Sequence, residues 1–485
     1  MTSLRRYTGR DNAEADEVTT MIFHQYQLSC LSLFSYLVGD ESTGRAVIVD
    51  PQRDVSQYLA DAQAAGLRIE RIIETHVHAD FLSGHLELAK ATGAAISYGS
   101  AAETDFAMEP LQHGQQLSLG DVVLEIRHTP GHTPESISVV IWERTADAAP
   151  WGVLTGDTLF IGDVGRPDLL SASGWTAPQL ARQLYRSLRE QLLTLPEATR
   201  VFPAHGAGSS CGKALSDATS STIGEQKAAN YALRPMTEED FVEVVTQGQS
   251  VAPLYFAFAS DANRHHHQLL DDHEAPVALD IDQVRRLQAD GAVVVDGRAP
   301  DVFASGHLRG SLNVGLDGRF AEYTGDVVHA GRPIVLVTDT GRETEARVRL
   351  ARIGFDTVAG YLPAVEAVLA EHPEYACTAA RLPTSELATW LAEEPGLQLV
   401  DVRNPGELAA GLLPGARQIP LAALVERMGE LDPAAPTVVY CASGYRSSIA
   451  ASALRAGGVA VVADLLGGFS AWSASGLPVG EVSHP

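Results

Sequence analysis

Apolar and polar positions run along this chain in two rhythms, and one gives way to the other near residue 275. Before it, short apolar runs alternate with amphipathic ones. The run A-V-I-V-D at 46–50 predicts a buried strand stopped by Pro51, and 55–65 predicts a helix ended by Gly66. A strand at 69–73 leads into E-T-H-V-H-A-D-F-L-S-G, and an amphipathic run at 82–91 leads out. His76, His78 and Asp80 therefore fall on a turn between a strand and a helix. Further strands are predicted at 95–98, 122–127, 137–142, 152–154 and 201–202, and a long amphipathic helix at 177–195. The succession predicts two sheets between layers of helix, an αββα sandwich of the α/β class. Residues 225–275 read as mixed helix and loop. His265, His266 and His267 lie there, and a solvated loop is the reading preferred over a metal site.

Beyond 275 the rhythm becomes buried strand then helix, and it occurs twice. V-V-V-D-G-R at 293–298 is followed by G-H-L-R-G-S-L-N-V, and L-V-D-V-R at 399–403 by G-L-L-P-G-A-R-Q-I-P. A strand at 334–337 runs into T-D-T-G-R-E-T, and one at 438–440 runs into C-A-S-G-Y-R-S-S. This is an internal repeat, each copy an α/β unit with a mostly parallel sheet. The expected layout is a disordered tail at 1–20, a first domain at 21–265, and repeats at 275–375 and 380–485, with a linker at 371–383.

Composition narrows the partners. A chain of 485 residues is too long for one core. Hydrophobic residues make up 45% and charged residues 20%, the balance of a folded protein, and no apolar run reaches membrane length. A net charge of −26 argues against nucleic acid as a partner. Residues 1–20 lack the apolar stretch of a secretory signal, and 4 cysteines are too few for a disulfide framework. A cytoplasmic homo-oligomer, away from membranes, is expected.

Nitrogen and oxygen ligands one residue apart on a turn can converge on one metal ion. His132 in G-H-T-P, Asp157 in T-G-D and His205 in P-A-H-G stand at other predicted strand ends. Together with H-V-H-A-D these motifs resemble the metallo-β-lactamase superfamily over 21–265. Its two-metal hydrolases carry H-x-H-x-D-H, and this chain has Phe81 at the last position. His76, His132 and Asp157 would leave a two-His-one-carboxylate face, which suits mononuclear non-haem Fe(II) and oxygen chemistry. F-S-Y-L-V-G and G-D-T-L-F-I-G-D-V-G-R-P-D-L-L extend the resemblance to persulfide dioxygenases. That resemblance implies iron on those three residues, with His78, Asp80 and His205 in support; His78 stays open as a ligand. It also implies a place for Arg166 near the substrate pocket, with a structural ion pair as the equal alternative.

Cys441 follows a buried strand and precedes a helix. Gly444 permits a turn that points N–H groups at the sulfur, and Arg446 and the helix N-terminus add positive potential, so a nucleophilic thiolate is expected. D-V-R-N-P-G-E-L, L-P-G-A-R-Q-I-P and C-A-S-G-Y-R resemble the rhodanese sulfurtransferases. By that resemblance Cys441 carries a persulfide, Arg446 helps hold the anionic donor, and Asp401 and Arg403 are structural. The first copy has Thr338 or Asp339 in place of the cysteine, which makes it a silent spacer or docking surface. Cys211 lies in P-A-H-G-A-G-S-S-C-G-K, whose glycines at 206, 208 and 212 let the loop fold back toward the metal pocket. The whole resembles multidomain persulfide dioxygenase–rhodanese fusions of bacterial sulfide detoxification. It implies oxidation of low-molecular-weight persulfides (of glutathione, coenzyme A or another thiol) by O2 to sulfite. Cys441 would then join sulfane sulfur to sulfite as thiosulfate, with Cys211 as a relay. The alternatives are a glyoxalase II-like thioester hydrolase fused to rhodanese domains, or a non-enzymatic sulfur carrier. Cys30 and Cys377 read as structural.

Overall fold

In the first half of the chain, neighbouring residues of one strand serve different layers. Val47 and Val49 point into one apolar cluster and Ala46 and Ile48 into another, as the two-residue period of a strand requires. The computed structural model describes residues 20–170 and 174–480. The expectation of a disordered tail at 1–20 lies, Thr20 aside, outside the described residues. Among them the chain divides into two compact units: one up to Gln249 with Ala259–Leu270, the other Ser250–Phe258 with the chain from Asp271.

The first unit holds two six-stranded sheets. One is ordered β1 (Met21–Leu28), β2 (Leu33–Asp40), β3 (Arg45–Val49), β4 (Arg68–Ile73), β5 (Ala95–Gly99), β6 (Glu109–Leu111). The other comprises β7 (Gln116–Ser118), β8 (Val123–His128), β9 (Ile137–Trp142), β10 (Gly152–Gly156), β11 (Arg200–Pro203) and β12 (Ser221–Thr222), also side by side in chain order. Phe23, Phe34, Ile126, Val139 and Phe202 fill the space between the sheets. Tyr58 and Leu88 pack helices on the outer face of one sheet, and Leu184 and Phe241 on that of the other. This is the expected αββα sandwich.

The helix expected over 177–195 forms as Ala177–Arg186, with a Thr176 capping box, and then widens into a π-helical segment, Ser187–Leu192. The widening falls where the loop before His132 packs. Ser187 Oγ donates to the Pro130 carbonyl at 2.7 Å, and a Cβ on Gly131 would stand 2.4 Å from Leu184 Cα.

The second unit contains the two repeats. The first has a parallel sheet of Leu312–Asn313, Val293–Asp296, Ile334–Val337 and Val358–Tyr361, in that order. The second has Ala380–Leu382, Val462–Leu465, Thr437–Tyr440, Gln398–Asp401 and Arg417–Gln418. In each, an arginine two residues past the first inner strand folds back on its aspartate: Arg298 on Asp296 at 2.5 Å and Arg403 on Asp401 at 2.6 Å. The stretch expected to be a linker, 371–383, is more ordered than its prolines suggested. Ala376–Cys377 pairs with His307–Leu308 of the first repeat, and Ala380–Leu382 opens the sheet of the second. Strand register also settles which residue replaces the cysteine. Asp296 pairs with Val337 and Asp401 with Tyr440, so Thr338, not Asp339, takes the position of Cys441. Gly341 then matches Gly444, both at positive φ (85° and 103°), and Glu343 stands where Arg446 does. No helix among the described residues is long and apolar enough to cross a membrane.

Candidate functional site

The turn after β4 is held from below by carboxylates. Asp50, itself at φ 50°, accepts the Thr75 N–H at 2.7 Å and the Thr75 hydroxyl at 2.8 Å, and Glu135 accepts the Val77 N–H at 3.0 Å. From above, the Asn263 amide donates to the carbonyls of His78 and Phe81, each at 2.8 Å. On the turn so fixed, one ligand atom each from His76, His132 and Asp157 lies within 4.8 Å of the others, and all three residues are buried. Each is oriented by a bond made through its other atom. His76 Nδ1 lies 3.0 Å from Thr75 Oγ1, His132 Nδ1–H donates to the Arg166 carbonyl at 2.8 Å, and Asp157 Oδ1 accepts from His205 Nδ1 at 2.7 Å. His76 Nε2 and Asp157 Oδ2 are left buried without a hydrogen-bond partner, 3.8 Å apart, and His132 Nε2 is 3.5 Å from that same oxygen. The orphaned atoms of His76 and Asp157, with His132 Nε2 beside them, converge in a buried pocket and fit a metal ion, which would supply both missing partners.

The other candidates on the turn do not converge on that point. His78 Nε2 approaches Asp50 at 3.1 Å and Glu74 at 3.3 Å. Burial opposes its charge, but these two carboxylates outweigh it and raise its pKa to about 10. Phe81 is fully buried, with its ring 4.3 Å from that of His78. His205 bridges Asp157 and, through Nε2, Asp80 at 2.7 Å. Its burial is likewise outweighed by Asp157 and Asp80, which hold its imidazole well above the ordinary range. Asp80, His205 and Cys211 form a second group whose ligand atoms lie within 4.8 Å of one another.

Cys211 is buried, and burial together with Asp80 and Asp157 pushes its thiol well up. Its loop does fold back to the pocket. Arg166 ties it there: its N–H donates to the Cys211 carbonyl at 2.9 Å and its guanidinium to Ser210 O at 3.1 Å. The same guanidinium meets Asp168 at 2.7 and 2.8 Å. These contacts are the structural alternative weighed for Arg166.

Around Cys441, the Gly444 N–H donates to Sγ at 3.1 Å and Ser447 Oγ lies 3.7 Å away. Gly444 caps the helix Tyr445–Ala456 at φ 103°. Arg446 is clamped by both oxygens of Glu407 at 2.6 Å, a bidentate pair that fixes the guanidinium over the loop. Glu407 went unnoticed in the sequence, where it is one carboxylate in D-V-R-N-P-G-E-L. So did Gly468, where a Cβ would come within 2.3 Å of the Cys441 carbonyl. Asp50 and Glu135 carried no motif either. Near the metal turn, Gly156 and Gly165 are forced by space: a Cβ at 165 would lie 1.9 Å from the Asp157 carbonyl oxygen, and one at 156 would lie 2.7 Å from Thr75 Oγ1. The His265–His267 run is only partly the solvated loop expected. His265 and His266 are exposed, but the His267 side chain is 10% exposed and faces Glu87 at 3.9 Å. All four cysteines are free.

Comparison with known proteins agrees with this layout. The metallo-beta-lactamase superfamily model matches residues 29–205, and the rhodanese-like domain model matches 280–367 and 384–475. The persulfide dioxygenase ETHE1 of Bos taurus is 31% identical over 236 residues, 47% of this chain and 82% of the relative. The cytoplasmic hydroxyacylglutathione hydrolase of Arabidopsis thaliana is 32% identical over 187 residues, 38% of this chain and 67% of the relative. A crystal structure of a metallo-beta-lactamase from Staphylococcus aureus superposes with a TM-score of 0.64 at 32% identity, over 70% of this chain and 98% of that one. The chain belongs to the metallo-β-lactamase superfamily, as a fusion of a metallo-β-lactamase domain homologous to persulfide dioxygenases with two rhodanese-like domains.

Proposed function

We propose that the chain is a mononuclear non-haem Fe(II) persulfide dioxygenase and sulfurtransferase of sulfide detoxification. The observation that carries this reading is the convergence of His76, His132 and Asp157, with His76 Nε2 and Asp157 Oδ2 left unpaired, beside a buried Phe81. A ferrous ion held by those three supplies the electron transfer to O2 that side chains alone do not. The overall reaction is RSSH + O2 + H2O → RSH + SO3(2−) + 2 H+.

The chain's own residues set the stage. The Arg166 carbonyl fixes the His132 tautomer, and Asp50 through Thr75 fixes His76. His205 pins Asp157 so that one carboxylate oxygen faces the pocket. Asp80 and His78 serve as support, and Arg166 positions the Cys211 loop at the edge of the persulfide site. Cys211 then sits where sulfur leaving the pocket is held for relay.

The second activity is assigned to Cys441. Its thiolate attacks the sulfane sulfur of RSSH, giving Cys441–SS⁻ and RSH. Sulfite then attacks that outer sulfur, giving S2O3(2−) and restoring the thiolate. The Gly444 N–H faces the sulfur that carries the charge at both ends of this cycle, and the Arg446–Glu407 pair presents a cation to the anionic donor and acceptor. Linking both sites in one chain raises the effective concentration of sulfite at Cys441. In the first repeat Thr338 and Glu343 supply neither nucleophile nor cation, so it is assigned no turnover.

The Asp80–His205–Cys211 group and the hydroxyacylglutathione hydrolase relative favour a second reading, a thioester hydrolase fused to sulfurtransferase domains. Products separate the two. With glutathione persulfide and O2, wild type should yield thiosulfate, Cys441→Ser sulfite, and His76→Ala neither. Hydrolysis of a glutathione thioester without O2 uptake would replace the dioxygenase reading.

A further inference from the structure

We propose that the cysteine-less repeat positions the Cys441 loop, through a latch in which Tyr445 seats in the hollow at Gly315 and Gly318. The inference rests on the sulfur-transfer role of Cys441 and gives the silent repeat a function in it.

Tyr445 is the first residue of the helix behind the loop, adjacent to Gly444, whose N–H reaches the sulfur. Its side chain leaves its own repeat. The hydroxyl donates to the Gly315 carbonyl at 2.7 Å. A Cβ at Gly315 would lie 3.3 Å from the ring, and one at Gly318 would lie 2.3 Å from the hydroxyl oxygen. Gly318 is thus kept clear by the space the tyrosine needs. Tyr323 adds a tilted ring at 5.6 Å. The hollow is itself braced, because the buried Arg349 donates to the carbonyls of Leu316 and Gly318.

The contact extends along the helix. The Asn313 N–H donates to Ser452 Oγ at 2.9 Å, and its side-chain oxygen accepts from Ser448 Oγ at 2.8 Å. Residues 313–318 of the silent repeat therefore run along the first turns of the helix, and it is the Tyr445 contact, at the helix start, that holds the loop. The loop needs such a grip. Its turn is built on Gly444, with Gly467 and Gly468 packed against it, and glycine does not hold a backbone in one conformation by itself. A hydrogen bond weakens steeply as its angle closes, so a small swing of Tyr445 takes the Gly444 N–H off the sulfur. In the silent repeat the residue matching Tyr445 is Arg342, which makes ion pairs with Asp317 and Glu345.

The test uses the full-length chain and follows alkylation of Cys441 by iodoacetamide with peptide-resolved mass spectrometry, alongside thiosulfate:cyanide sulfurtransfer. Tyr445→Phe, which removes only the hydroxyl, should slow Cys441 alkylation and lower kcat by about three- to tenfold, the range of one lost hydrogen bond, with KM for thiosulfate changed less. Gly318→Ala should do the same by displacing the ring. Ser452→Ala cuts the same interface further along the helix and should leave both rates within about twofold. Rates for Tyr445→Phe and Gly318→Ala equal to or above wild type overturn the latch, as does an equal loss in Ser452→Ala, which would mark the contact as structural only. Alkylation needs no turnover, so a wild-type chain without sulfurtransfer would refute the function assigned to Cys441 and leave the latch to be decided by alkylation alone.

Discussion

Replacing Gly165 with alanine strikes the proposed metal centre without replacing any of its ligands. The new methyl would lie 1.9 Å from the Asp157 carbonyl oxygen and 3.1 Å from His132 Cβ. Relieving the overlap moves one loop against the other by about 1 Å, several times the roughly 0.2 Å tolerance of a metal–ligand distance. The apo protein can relax by letting Asp157 and His132 drift apart. Binding the ion forces them back and restores the strain. Overpacking of this kind costs about 1–3 kcal/mol. If the cost falls on binding, iron affinity drops about five- to 150-fold. Competition against a ferrous chelator reads that affinity directly, with a thermal melt to establish that the variant folds. Gly66→Ala is the control: φ is 68° there, but nothing lies within 4 Å. It should lower Tm through backbone strain and leave iron affinity within about twofold. A folded Gly165→Ala chain that holds iron as tightly as wild type would rule out a metal held between Asp157 and His132.

Other outcomes follow from the same geometry. Glu407→Gln keeps the shape but removes the charge that clamps Arg446, and should raise KM for thiosulfate about three- to tenfold with little change in Tm, measured by steady-state sulfurtransfer. His307 has its pKa lowered to about 4 by burial, with Arg455, Arg298 and Arg309 adding repulsion, against the hydrogen bond to the Phe303 carbonyl. The folded imidazole stays neutral where the unfolded one takes a proton. Its contribution is therefore intact above the unfolded value near pH 6.5 and is lost as pH falls toward 4, by about 2 kcal/mol between pH 7 and 5. Urea melts at both pH values should show that loss, and His307→Leu should flatten it. Asn263→Ala unties the carbonyls of His78 and Phe81, and should reduce iron retained through dialysis with the sandwich still folded by circular dichroism.

The sandwich and the two repeats were legible because they rest on periodicity: apolar runs of strand length, broken by glycine and proline, repeated at a fixed interval. The turn with the candidate metal ligands was legible because they are rare residue types at fixed spacing. What holds those ligands was not. Asp50, Glu135 and Asn263 lie far from the turn in sequence, and each looks like an ordinary polar residue until the fold brings it to Thr75, Val77 or His78. Glycines 156 and 165 gave no sign of the space they leave, because a close approach is a property of two segments. The break in the 177–195 helix came from outside it, through Pro130 and Gly131. The choice between Thr338 and Asp339 needed strand register, which one sequence does not fix.

The proposed chemistry turns on one iron that consumes oxygen. Metal content and gas uptake on the same iron-loaded sample, with glutathione persulfide as substrate and the sulfite-accumulating Cys441→Ser chain, test it most directly. One iron per chain and one O2 consumed for each sulfite released are the expected results. Two zinc ions per chain with no oxygen uptake would contradict it.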